Sequence, residues 1–105
     1  MSNAVFFNSY KLKKGVSIPD FLLAFEKLNN EHVSKQEGYI SWKLMVDGDT
    51  WSDSITFETM EDLKKFEELS ANPDELALEF YSFLNINSCK VHRFNVERSY
   101  NSCRS

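Results

Sequence analysis

Asp53 lies in the run Thr50-Trp-Ser-Asp-Ser-Ile-Thr-Phe57, whose other odd positions are Trp51, Ile55 and Phe57. An extended chain sends alternate side chains to opposite faces, so the carboxylate shares a face with bulky apolar groups. Desolvation on such a face raises the pKa of a carboxylic acid towards general-base use. Asn8, in Ala4-Val-Phe-Phe-Asn-Ser-Tyr-Lys-Leu12, and His92, in Cys89-Lys-Val-His-Arg-Phe94, are the polar groups best placed to join it. Together they would give a base (Asp53), an orienting amide (Asn8) and an acid or second base (His92). Tyr10, Trp42, Trp51, Phe66 and Tyr81 are the candidates for a surrounding pocket wall. The competing reading is structural: Asp53 accepts hydrogen bonds from a tryptophan N–H, Asn8 or His92 and orders the core.

Other chemistries are disfavoured. Cys89 and His92 are three apart on an expected strand, so they project to opposite faces and cannot share an ion; no metal site is expected. His32 falls near the end of an expected helix, where a surface or dipole role suffices. A formal charge of −4 argues against nucleic acid or an anionic membrane as the main partner, since both are bound through Lys and Arg clusters. No apolar run approaches the roughly 18 residues of a membrane span. Two cysteines do not make the dense framework of a small secreted domain, which points to a reduced, cytoplasmic setting.

The elements that must position these residues follow from local pattern. Residues 4–12 read as a first strand. Ser17 caps a helix with Pro19 in its first turn and a buried stripe of Ile18, Phe21, Leu22, Phe25 and Leu28. Residues 37–58 read as a hairpin about Asp47-Gly48, with apolar alternation along Ile40, Trp42, Leu44 and Val46. A second helix starts at Thr59. Asn72-Pro73-Asp74-Glu75 restarts a third, running through Leu76, Phe80, Phe83 and Leu84. Residues 88–98 read as the last strand. Residues 1–98 thus make a single domain, and 99–105 a polar C-terminal tail.

Short connections and right-handed crossovers turn βαββαβ, with an extra helix before the last strand, into an α+β ferredoxin-like fold. Its four-stranded antiparallel sheet has strands one and three at the centre. An even hairpin loop sets Ile40, Trp42 and Leu44 on the face of Trp51, Asp53 and Ile55. The helix-facing side is then expected to carry Phe6, Asn8, Tyr10, Trp42, Leu44, Trp51, Asp53, Ile55, His92, Phe94 and Val96. Val5, Phe7, Tyr39, Met45 and Val91 fall on the other face. That face is more apolar than a solvated one, and a homodimer packed sheet on sheet is its simplest cover.

The first strand ending in Lys13-Lys-Gly15, the lead-in Glu37-Gly-Tyr-Ile-Ser-Trp42 and the exit Thr56-Phe-Glu-Thr-Met-Glu-Asp-Leu63 resemble the dimeric αβ-barrel superfamily, which includes antibiotic-biosynthesis monooxygenases. The resemblance runs from about Val5 to Val96. It implies a dimer with a small-molecule pocket between each sheet and its helices, and a cofactor-independent monooxygenase or isomerase acting on an apolar or aromatic substrate. The alternative is a non-catalytic homodimeric ligand-binding or structural protein whose pocket is filled by Trp42, Trp51, Phe66 and Phe80. The heme-degrading branch of the superfamily looks to an asparagine on the first strand, matched by Asn8, and to a tryptophan in the second helix, where Phe66 stands. It also looks to a histidine beyond that tryptophan, and none occurs between Leu63 and Asn87. No cofactor is therefore expected.

Overall fold

A computed structural model describes residues 2–101; Cys103 and the end of the polar tail lie outside them. The elements run β1 (Ala4–Leu12), α1 (Ile18–Glu31), a 3₁₀ turn (Val33–Lys35), β2 (Tyr39–Asp47), β3 (Thr50–Phe57), α2 (Met60–Ser70), α3 (Glu75–Ser82) and β4 (Leu84–Asn95). The strands form one antiparallel sheet in the order β2-β3-β1-β4. The fold is the expected α+β ferredoxin-like arrangement, with β1 and β3 central. Among the described residues no helix is long and apolar enough to cross a membrane.

Each helix begins where a short polar side chain takes up an orphan backbone N–H. Ser17 accepts from Asp20, Thr59 from Asp62, and Asp74 from Ala77. The hairpin closes on Asp47 paired with Thr50, leaving the two-residue loop Gly48-Asp49, with Gly48 at φ +62°. The even register therefore holds: Leu44 stands opposite Asp53 and Trp42 opposite Ile55. The core lies between this face and the helices, where Phe21, Phe57 and Leu63 are fully buried.

Two irregularities move residues off their expected faces. A bulge between Tyr39 and Ser41 absorbs Ile40, which is 46% exposed, and turns Tyr39 to the helix side, where its hydroxyl donates to Asn29 Oδ1 at 3.0 Å. β4 begins at Leu84 rather than 88, because α3 stops at Ser82 and the Phe83 carbonyl is already tied to Lys13 N at 2.9 Å. Between Ser9 and Lys11 the pairing on β4 jumps from Lys90 to Asn85. This odd number of extra residues inverts the alternation, so Leu84 and then Cys89, Val91 and Arg93 face the helices. His92 and Phe94 instead stand on the outer face beside Phe7, with His92 and Phe94 stacked at 5.4 Å.

Candidate active site

β3 is central, so Asp53 is reached from both sides. Asn8 is its direct partner on β1, Tyr10 follows two residues later on the same face, and Trp42 lies diagonally across on β2. All three donate to the carboxylate: Asn8 Nδ2 to Oδ1 at 3.0 Å, Trp42 Nε1 to Oδ1 at 3.1 Å, and the Tyr10 hydroxyl to Oδ2 at 2.7 Å. Asp53 is 2% exposed, and it is the only buried charged residue among those described.

Burial pushes the Asp53 carboxyl above the usual carboxylate range, and the hydrogen bonds from Asn8, Tyr10 and Trp42 oppose part of that shift. The Tyr10 hydroxyl is pushed up by burial and then by the neighbouring carboxylate, so it keeps its proton. The two oxygens of Asp53 are not equivalent. Oδ1 faces two N–H groups that can only donate, whereas Oδ2 faces a hydroxyl that can also accept. A proton taken up by Asp53 is therefore best placed on Oδ2, from which it can be donated in a hydrogen bond to the Tyr10 oxygen.

The carboxylate borders a cavity of about 340 Å³ between sheet and helices. Its walls are mostly apolar: Phe6 and Ile55 from the sheet, Leu28 and Val33 from the α1 end, Phe66 and Phe80 from α2 and α3, and Ile86 and Val91 from β4. Trp42 stacks on Phe25 with ring centroids 3.9 Å apart, which holds its N–H towards Asp53. Phe80 packs edge-on to Tyr10 at 6.4 Å, closing the space on the helix side. Tyr81 also borders the cavity; burial, then the Asp53 charge, then Cys89 raise its pKa.

Asn8, Asp53, Tyr10, Trp42, Phe66 and Tyr81 are thus brought together around one space. Two expected members are not. His92 is displaced by the β4 bulge to the outer sheet face, so it does not converge with Asn8 and Asp53. Trp51 sits at the hairpin end and packs on Phe21 at 5.3 Å, beside a separate groove. The pairing of Tyr10 with Asp53 is within reach of the sequence, since β1 alternation already puts Tyr10 next to Asn8. Phe80, a filler only in the alternative reading, lines the wall of this space. Sequence alternation does not assign Cys89, Ile86 and Val91 to the wall, because their facing depends on the bulge.

No family model matches the sequence, and no curated protein is similar to it. Solved structures are similar in fold. A mutant form of SnoaB, a cofactor-independent oxygenase from Streptomyces nogalater, superposes with a TM-score of 0.75 at 11% identity, over 97% of this chain and 100% of that one. A protein proposed to be an antibiotic biosynthesis monooxygenase, from Bordetella bronchiseptica, gives 0.73 at 13% identity, over 96% and 100%. A heme-degrading protein from Mycobacterium tuberculosis gives 0.65 at 15%, over 96% and 98%. The chain therefore has the ferredoxin-like fold of these proteins.

Proposed function

We propose that this chain binds an apolar, aromatic small molecule in the cavity above Asp53 and removes a proton from it, as a cofactor-independent monooxygenase or an isomerase. The observation that carries the reading is a buried carboxylate of raised pKa in the wall of an open apolar cavity. A proton drawn from an acidic C–H or O–H of the ligand goes to Oδ2, and Asn8 and Trp42 hold the carboxylate in place through Oδ1. The resulting enolate then either takes a proton at another carbon, or gives one electron to dioxygen and recombines with the superoxide to form a C–O bond. In the second case the peroxide takes back the proton from Asp53, and loss of water leaves a ketone. The likeness to a cofactor-independent oxygenase supports this class of reaction.

A second reading is favoured by one observation: among the described residues every buried side-chain polar atom has a hydrogen-bond partner, Asp53 included. In that reading the carboxylate orders the sheet, and the cavity binds a ligand without turning it over. We assign the outer sheet face, with Phe7, Met45 and Phe94, to a homodimer contact in either case, and place the protein in the cytoplasm.

Thermal melts with 2-tetralone and 2-naphthol test the binding shared by both readings. A ligand at about 100 times its Kd stabilises by about 2.7 kcal/mol, a rise of several degrees for a chain this size. Absence of any shift would remove both. Turnover lost in Asp53→Asn with binding retained selects the catalytic reading; a variant that behaves like the wild type in every assay selects the second.

A further inference from the structure

The inner cavity has a neighbour beyond Phe66 and Tyr81. A second chamber of about 140 Å³ lies between the end of α1 and the α2–α3 junction, and Leu28, Val33, Phe66, Ser70 and Tyr81 line both spaces. Ser70 is the smallest of these shared residues. Its hydroxyl is turned back on the Phe66 carbonyl at 2.9 Å, so the wall shared by the two chambers is thinnest in side-chain bulk at this position.

The two chambers differ in chemistry. The inner one is apolar apart from the Asp53 cluster, whereas the outer one is rimmed by His32, Gln36, Asn72 and Asp74. His32, which ends α1, is ion-paired with Asp74, which caps α3, so the two ionisable groups of the rim face each other. Gln36 Nε2 donates to the His32 carbonyl at 3.0 Å, leaving its own oxygen as an acceptor at the rim. A ligand tail therefore meets amides and a His32–Asp74 pair whose side chains already engage each other, which suit hydroxyl or amide groups better than a charge.

We infer that the ligand is elongated and amphipathic. A planar apolar body carrying the acidic proton fills the inner cavity, and a neutral hydroxyl- or amide-bearing tail passes Ser70 into the outer chamber. The inference rests on the reading of the inner cavity as a ligand site and adds the shape and polarity of what it takes.

Binding of 2,6-dihydroxynaphthalene and of its mono(diethylene glycol) ether, followed by ligand fluorescence, tests it. The glycol ether should bind the wild type about tenfold more tightly, the worth of one or two good hydrogen bonds. Ala77→Phe, which fills the outer chamber from α3, and Asn72→Phe, which fills it from the α2–α3 junction, should each abolish that advantage while leaving affinity for the parent diol within about twofold, since neither residue lines the inner cavity. Either variant suffices if the other fails to fold. A glycol ether that binds no better than the diol, or keeps its advantage in the folded variants, overturns the inference alone. If neither compound binds the wild type, the ligand-site reading falls with it.

Discussion

The asymmetry of the Asp53 oxygens makes Asp53→Asn an unusually well-fitted substitution. The asparagine oxygen can keep the bonds from Asn8 and Trp42, and its amide can donate to the Tyr10 oxygen, reproducing the protonated acid. Because the folded-state pKa of Asp53 is raised, the folded protein holds a proton that the unfolded chain releases near the ordinary carboxylate value of about 4. This contribution to stability is complete below that value and is lost as pH rises through the raised one. Melting curves from about pH 4 to pH 8 should therefore show Asp53→Asn gaining on the wild type as pH rises, with the two nearly equal at the acid end. Tyr10→Phe removes a buried hydrogen bond and leaves the Asp53 carboxyl with two donors, at a cost of about 1–3 kcal/mol by urea unfolding. His92→Ala should leave ligand binding within about twofold of wild type, because its ring stands on the far side of the sheet.

The elements that carry the site are largely legible in the sequence, and the reasons for the exceptions are local. Periodicity and capping residues locate β1, α1, the hairpin and α2, because each signal is contained in a few neighbouring residues. The hairpin register follows from the two-residue loop, and with it the placement of Trp42 and Asp53. The facing of β4 does not follow: a bulge leaves no composition signal, and it alone decides whether His92 or Val91 meets the helices. The Ile40 bulge moves Tyr39 to the unexpected face in the same way. Two glycines at positive φ separate backbone strain from close approach. Gly48 has open space about it, so Gly48→Ala should cost only the left-handed conformation, about 1–2 kcal/mol. At Gly38, also at positive φ (+78°), an added Cβ would collide with the Asp62 carboxylate, and Asp62 is engaged with Thr59 at the α2 cap. Gly38→Ala should cost clearly more than Gly48→Ala in the same urea series.

At the scale of the molecule, one sheet divides two tasks. Its helix side holds the cavity and the Asp53 cluster. Its outer side gathers Phe7, His92 and Phe94, with Phe94 half exposed. Covering that face with a second copy would stabilise a chain this short without touching the cavity chemistry. Phe94→Glu should shift the mass found by light scattering from dimer to monomer while the inner cavity still binds 2-naphthol; an unchanged mass would leave the outer face without its proposed partner. Proton removal by Asp53 is the central claim, and hydrogen exchange measures it directly. The benzylic C1 protons of 2-tetralone, next to its carbonyl, should exchange with deuterium at least about 100-fold faster with the wild-type protein than with Asp53→Asn, as positioned general bases provide. Equal exchange rates for the two proteins, with both shown to bind the ketone, would contradict it.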